Sequence, residues 1–97
     1  MALSGREKRY LKSLANTLPA IIQIGKSGIS ENLLKQIDDT LVAREILKLT
    51  ILNNCEIDVN EISLKICLAL NADLVQVIGH KITIYKKNTQ KQIIIFP

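Results

Sequence analysis

Aromatic residues and histidine are scarce in this 97-residue chain, which has three aromatic residues, one histidine and no tryptophan. The core must therefore be built from Leu, Ile and Val, and stacking on aromatic side chains cannot dominate any recognition. The one histidine, His80, falls in a predicted turn, where we expect it to face solvent. Asp38 and Asp39 are adjacent on a predicted helix, so they point about 100° apart and cannot share a substrate. Without a base or a carboxylate pair, we predict no enzyme and no small-molecule substrate.

Cysteine and long apolar runs are also in short supply. Cys55 and Cys67 lie twelve positions apart with no second pair and no histidine nearby, which does not match zinc-ligand spacing. We expect buried or idle thiols, no metal and no cofactor. No run approaches the roughly 20 apolar residues of a membrane span, and residues 1–10 are charged where a signal peptide needs an apolar core. These absences predict a cytoplasmic, reduced protein with no membrane contact.

Apolar and basic residues are what the chain has in abundance. At 47% apolar over 97 residues, it has material for one domain with one core. Thirteen Lys and Arg residues against nine Asp and Glu give a net charge of +4 and a pI near 9.2. That balance favours a polyanion as partner, nucleic acid first, although many domains are mildly basic. The positions of the charged residues must decide between a nucleic-acid-binding protein and an ordinary basic domain.

Apolar periodicity and capping signals predict seven elements in the order α-β-α-β-α-β-β. The helices are predicted to run from the capping box of Ser4 and Glu7 to before Pro19, over 30–44 and over 59–70; the strands cover 20–24, 46–52, 74–78 and 81–86. The first two strands flank a crossover helix, so we expect them to be parallel. Gly79 and His80 predict a tight antiparallel hairpin between the last two.

Two apolar features have no assigned partner in the sequence. In helix three the predicted core face is Val59, Ile62, Ile66, Ala69 and Leu70. Leu64 and Leu68 lie on another side of this helix. They are either an exposed apolar pair or the site where another helix or strand packs, and we favour the second alternative. Residues 88–92 are polar and predicted to be loose. The apolar C-terminal tail, residues 93–96, either adds an edge strand or covers one.

Glycine and basic residues meet in the stretch between strand one and helix two. Gly25, Lys26, Ser27 and Gly28 form a loop whose amide groups and lysine suit an anion such as phosphate. A nucleotide-binding P-loop is excluded because Ala20 stands where its first glycine is required, and a dinucleotide fingerprint lacks its third glycine. The short G-x-x-G form remains, which clamps backbone nucleotides in RNA-binding KH domains. Such a loop is also common as a plain turn.

Helix one carries a basic side opposite its apolar side. Arg6, Lys8, Arg9 and Lys12 make up that basic side, which is either an ordinary solvated face or a binding face. Lys86 and Lys87 follow the last strand and add further positive charge. We include all six among the candidate contacts to nucleic acid because of where their charges lie.

Three motifs in this order and spacing resemble the CRM domain, and in particular the bacterial stand-alone YhbY-like proteins. They are Leu3 and Ser4 before a basic helix, the run 24–29, and the run 75–79 followed by 84–86. The resemblance extends over nearly the whole chain. His80 stands between Gly79 and Lys81, where the family's turn has lysine directly after glycine.

The resemblance implies one compact α/β domain with three helices and a four-stranded mixed sheet, similar to the C-terminal domain of bacterial translation initiation factor three. It also implies RNA binding through Gly25, Lys26, Ser27 and Gly28 and the adjoining basic surface. Bacterial family members associate with precursors of the large ribosomal subunit, so we expect a ribosome assembly factor with rRNA as its partner. The alternative is a protein-interaction module that uses Leu64 and Leu68 or the apolar tail.

Overall fold

The computed structural model describes residues 3–97, which form three helices and four strands in the predicted order. The elements are α1 (Gly5–Ala15), β1 (Ile22–Ile24), α2 (Glu31–Arg44), β2 (Ile46–Ile51), α3 (Val59–Leu70), β3 (Asp73–Ile78) and β4 (Lys81–Tyr85). Most bounds lie within one or two residues of those predicted, which is the ordinary scatter at element ends. No helix in this part of the chain is long and apolar enough to cross a bilayer.

Side-chain caps fix where the helices begin. The Ser4 hydroxyl accepts a hydrogen bond from the backbone of Glu7 at 3.1 Å, and the Glu7 carboxylate accepts one from the backbone of Ser4 at 3.0 Å. This is the predicted capping box. Ser30 caps α2 and Asp58 caps α3 in the same manner, each accepting from backbone N–H groups of the first turn.

The four strands form one mixed sheet in the order β1-β2-β4-β3. β1 and β2 are parallel, while β4 is antiparallel to both β2 and β3. The parallel crossover and the two-residue hairpin at Gly79 and His80 are therefore confirmed. A bulge at Val75 inserts one extra residue in β3, between the paired positions Leu74 and Gln76.

Strand alternation divides the buried residues between the two faces of the sheet. The core face is covered by α2 and α3, and its fully buried side chains include Ile24, Leu49 and Ile84. The opposite face, called here the α1 face, is covered at one end only, where Leu11 of α1 packs on Ile46 and Tyr85. One face is thus closed along its length, and the other is closed only where β2 begins and β4 ends.

The buried stripe of α3 differs from the predicted one at three positions. Ser63 and Cys67 are buried beside Ile62 and Ile66, whereas Ala69 is exposed. The stripe follows i, i+3, i+4, i+7, and Ala69 lies off it, so the prediction for Ala69 was wrong. Leu64 and Leu68 are 57% and 83% exposed, so within residues 3–97 no other element packs on them, contrary to our preference.

The segment after β4 is ordered by one buried carboxylate, that of Glu45. This residue is 0% exposed and follows α2 with a φ of 65°. Its Oε2 atom accepts from the backbone N–H of Asn88 at 2.7 Å, and its Oε1 atom from those of Ile93, at 2.7 Å, and Ile94. Residues 88–92 were predicted to be loose, and the prediction was wrong for Asn88, which hydrogen-bonds to Glu45 and, through its amide, to the Val42 carbonyl.

The C-terminal tail covers the α1 cluster and adds no strand. Ile94 is buried there, and Phe96 meets Tyr10 and Tyr85 edge to face, with ring centroids 5.7 and 5.9 Å apart. All three aromatic residues of the chain are therefore in this one cluster. The tail therefore adds no edge strand, and what it covers is the cluster of α1 and the central strand β4; Glu45 accepts from the Ile93 and Ile94 N–H groups, which a strand ladder would otherwise use.

Candidate functional site

Residues 25–28, called here the glycine turn, close a hydrogen-bonded β-turn between β1 and α2. The Gly28 N–H donates to the Gly25 carbonyl oxygen at 3.0 Å, so Lys26 and Ser27 occupy the two central positions. Both central side chains are exposed, whereas Gly28 is buried. The turn thus presents one ammonium and one hydroxyl to solvent from a fixed backbone.

Only one of the two glycines needs a glycine conformation. Gly28 has a φ of +65°, which side-chain-bearing residues rarely adopt, and a Cβ there would lie 3.6 Å from Ile57 Cδ1. Gly25 has no such φ, and its Cβ would make ordinary contacts with Leu52 at 3.5 Å and Asn54 at 3.7 Å. Gly28 therefore needs to be glycine for its backbone conformation, whereas Gly25 does not.

Two other connections meet the glycine turn at the same end of the sheet. The Leu52 N–H donates to the Ile24 carbonyl at 2.8 Å, which joins the loop after β2 to the end of β1. The Ile51 N–H donates to the His80 carbonyl at 2.7 Å, which joins the hairpin turn to the end of β2. Three connections therefore surround the end of the sheet that α1 leaves uncovered, called here the open end.

Charge at the open end is divided between the two faces. A shallow cleft of about 360 Å³ between His80 and the start of α3 is lined by Glu56 and Asp58, and α2 begins with Glu31. These carboxylates accompany the helices of the core face. His80 is exposed, as expected for a turn residue. An anion that approaches Lys26 therefore meets less repulsion from the α1 face than from the helix side.

The basic residues of α1 are exposed but lie at the other end of the sheet. Leu3 and Leu18, which flank the helix, both pack in the cluster around Ile46 and Tyr85. α1 is therefore seated where β2 begins, whereas the glycine turn lies near where β2 ends, about 17 Å along that strand. The residues concerned, all solvent-facing and outside the ion pairs that residues 3–97 form, are Arg6, Lys8, Arg9 and Lys12.

Lys86 and Lys87 follow the last residue of β4, so they also lie away from the glycine turn. The Lys86 ammonium donates to Asp38 Oδ1 at 3.1 Å, which ties the end of β4 to α2. Lys87 is exposed. Of the ten residues predicted to bind, the structure brings together the four of the glycine turn and, separately, the four on α1.

Two lysines that the sequence pattern did not single out lie on the α1 face, Lys81 at the open end and Lys48 in the middle of β2. Lys48 alternates with core-facing Leu47 and Leu49, and Lys81 precedes core-facing Ile82. Period-two alternation alone would have turned both toward the α1 face. What the pattern lacked was the pairing of β2 with β4, which makes them neighbours.

Reactive or ligand-binding groups do not gather elsewhere in residues 3–97. No three His, Cys, Asp or Glu side chains there come together as metal ligands, and both cysteines are free thiols. Burial, with a smaller contribution from the Asp73 carboxylate, raises the pKa of Cys67 to about 11. The Cys67 thiol therefore stays protonated and a poor nucleophile at neutral pH.

Fold and turn together define the class of protein: a small α/β domain with an α-β-α-β-α-β-β order and a basic glycine turn at the open end of a mixed sheet. The CRS1 / YhbY (CRM) domain model matches residues 3–86, and the chain belongs to this family.

Individual relatives resemble the chain over most of its length. It is 40% identical, over 98% of its length and 99% of the relative, to the probable RNA-binding protein YqeI of Bacillus subtilis. It is 34% identical to the probable RNA-binding protein MJ0652 of Methanocaldococcus jannaschii, over 87% of this chain and 63% of that protein. Among solved structures, that of SAV1595 from Staphylococcus aureus, described as a putative RNA binding protein, matches with a TM-score of 0.81 at 46% identity, covering 99% and 100% of the two chains.

Proposed function

We propose that this protein binds RNA, without catalysis or a cofactor, through the glycine turn and the basic surface that adjoins it. The observation that carries the proposal is the exposed Lys26 and Ser27 pair on a turn held by the Gly28 to Gly25 hydrogen bond. A fixed backbone with an ammonium and a hydroxyl at its tip suits contacts to phosphate and sugar, which position RNA without reading base edges. Relatives in Bacillus subtilis and Methanocaldococcus jannaschii are named probable RNA-binding proteins, which supports the same function here.

The test of the turn is the salt dependence of RNA binding by Lys26→Ala. Each phosphate contact releases counterions, so losing one should lower the slope of log affinity against log salt by roughly 0.7 to 0.9. Affinity should fall to a similar degree for RNAs of different sequence. The matched control is Lys65→Ala, which removes the same charge from α3, where Lys65 pairs with Glu61 at 3.6 Å. An unchanged slope in Lys26→Ala would exclude the turn as a phosphate contact.

The RNA that we propose is precursor rRNA of the large ribosomal subunit, with the protein acting as a cytoplasmic ribosome assembly factor. This identity rests on the resemblance to bacterial YhbY-like proteins. Crosslinking the protein to RNA in cells and sequencing the bound fragments tests it. We expect fragments from large-subunit precursors; fragments spread over messenger or transfer RNA would contradict the assignment while leaving RNA binding itself intact.

A second candidate function is protein interaction through Leu64 and Leu68, and the observation that favours it is their exposure of 57% and 83%. They are one helical turn apart on α3, so they form a single apolar spot. Replacing both with Glu should abolish capture of a specific partner and leave RNA affinity unchanged. Unchanged capture of every partner would remove this function. The tail is the weaker site for it, because Ile94 is already buried against the α1 cluster.

A further inference from the structure

One cross-strand row of side chains lies on the α1 face directly beside the glycine turn. Gln23 pairs with Thr50, Thr50 pairs with Lys81, and Lys81 pairs with Ile78, so the row crosses all four strands. Directly paired residues share a face, and the neighbours of these four in the chain point into the core. The row, called here the open row, consists of Gln23, Thr50, Lys81 and Ile78.

Solvent reaches the open row, whereas the rows behind it are progressively covered. Gln23 and Lys81 are exposed, and Ile78 is 62% exposed. In the next row Lys48 and Gln76 are half-buried and Thr83 is buried. Beyond these, the end of β4 lies under α1 and the tail. The uncovered strip is four strands wide, about 14 Å at the usual strand spacing, and it adjoins the glycine turn because Gly25 follows Gln23 by two residues.

The charge of this strip is positive. Lys81 and Lys48 lie diagonally across β2 and β4, roughly 7 to 8 Å apart at the backbone, and neither belongs to an ion pair within residues 3–97. No carboxylate occupies the open row or the row behind it; Asp73 pairs with Tyr85 two rows away. The carboxylates at the open end, Glu31, Glu56 and Asp58, accompany the helices on the other face.

The remaining groups in the row suit nucleotides whose edges are accessible. An amide at Gln23 and a hydroxyl at Thr50 can each donate and accept hydrogen bonds, which fits a ribose 2′-hydroxyl or a base edge. In duplex RNA the base edges are paired, whereas unpaired segments expose them. Because the strip has no aromatic ring, base stacking does not hold the strand here, and the lysines and polar groups must do so.

We infer that an unpaired RNA segment runs from the glycine turn across the open row, an inference that rests on the RNA binding proposed for this protein. Lys81 and Lys48 contact its phosphates. Gln23 and Thr50 contact its sugars or base edges. Charge selects this path, since the opposite exit from Lys26 meets three carboxylates.

The test compares Lys81→Ala and Lys48→Ala with Lys35→Ala, using an unpaired RNA of about 12 nucleotides. Lys35 is an exposed lysine on α2, over the core face, so its removal is a matched change of charge. We expect the salt slope to flatten by about 0.7 for each of the first two variants and not for the third. If Lys26→Ala weakens binding while all three of these variants match the unaltered protein, the path over the open row is wrong and the turn stands. If Lys26→Ala has no effect either, RNA binding through this end is wrong as well.

The same inference is tested without any substitution by following backbone amide resonances during titration. Unpaired RNA should shift the signals of Gln23, Thr50, Ile78 and Lys81 together with those of the glycine turn. Equal shifts with a duplex RNA of the same length would overturn the choice of an unpaired segment, as would an absence of shifts in the row.

The variant Gln23→Ala should lower the preference for RNA over DNA of the same sequence, since DNA lacks the 2′-hydroxyl.

Discussion

The two ends of the sheet on the α1 face are built from different materials. At the packed end, α1, the tail, Tyr10 and Phe96 cover Ile46 and Tyr85, and the fully buried carboxylate of Glu45 holds the start of the tail beside them. At the open end, three short connections and the open row remain in contact with solvent. Apolar burial dominates stability, so the packed end contributes to the free energy of unfolding while the open end is available for binding.

Because the two ends differ in this way, substitutions at the packed end and at the open end should affect different properties of the protein. Changes at the packed end should lower the melting temperature, and changes at the open end should alter RNA affinity with little effect on folding, since surface substitutions ordinarily change stability by less than about 0.5 kcal/mol. A substitution that fails to follow this division would break the comparison.

Glu45→Ala at the packed end should have the largest effect on stability. It removes the acceptor for the N–H group of Ile94, which is buried, and for those of Asn88 and Ile93, which are part-buried. A buried donor left unpaired costs about 1 to 3 kcal/mol, and water replaces part of the loss at the other two. We expect a loss of about 3 kcal/mol, or a fall in melting temperature of roughly 12 to 24 °C, measured by thermal unfolding followed by circular dichroism.

The control for Glu45 is Glu56→Ala, which removes an exposed carboxylate at the open end and should leave the melting temperature within a few degrees. Glu45→Gln keeps one acceptor oxygen, so it should fall between the two. A loss below about 1 kcal/mol for Glu45→Ala would mean that the tail is not held by this side chain.

Phe96→Ala should come next, because Phe96 bridges α1 to the sheet through Tyr10 and Tyr85. A fully buried phenylalanine costs about 3 to 5 kcal/mol when truncated, and this one is half-buried, so we expect about 2 kcal/mol from denaturant unfolding. Ile95→Ala, next to it and 76% exposed, serves as the control. Equal effects of the two variants would show that the tail does not cover the cluster in solution.

Local sequence signals predicted the elements, and long-range pairing decided what they could not. Ser4, Ser30 and Asp58 placed the helix starts because a cap acts on its own first turn. The sequence pattern could place Lys48 and Lys81 on one face of the sheet, but it could not show that they are neighbours. No local signal places β4 between β2 and β3. Glu45 was unremarkable in sequence, since its partners lie 43 to 49 positions later.

The two glycines of the glycine turn differ in what their backbone requires, and a pair of alanine variants tests that difference. Gly28→Ala forces a φ of +65° on a residue with a side chain, which costs about 1 to 2 kcal/mol. Gly25→Ala makes only ordinary contacts, so this variant should be as stable as the unaltered protein. Its added Cβ should weaken RNA binding, because the proposed RNA backbone lies against this turn. Unfolding curves and RNA titration of both variants check this; equal stability of the two would contradict the turn geometry.

The smallest expected effect concerns Lys86, which carries positive charge at the packed end and not at the open one. Its ammonium is 3.1 Å from Asp38, with the two side chains 32% and 39% exposed, so the pair contributes at most about 1 kcal/mol and less in high salt. Lys86→Ala should therefore lower stability slightly at low salt, while Lys87→Ala, on an exposed neighbour, should not.

Neither variant should flatten the salt slope of RNA binding as Lys26→Ala does, because both lysines lie at the end of β4 away from the glycine turn. A flattened slope for Lys87→Ala would extend the RNA path to the packed end, and the separation of stability from binding along the sheet would no longer hold.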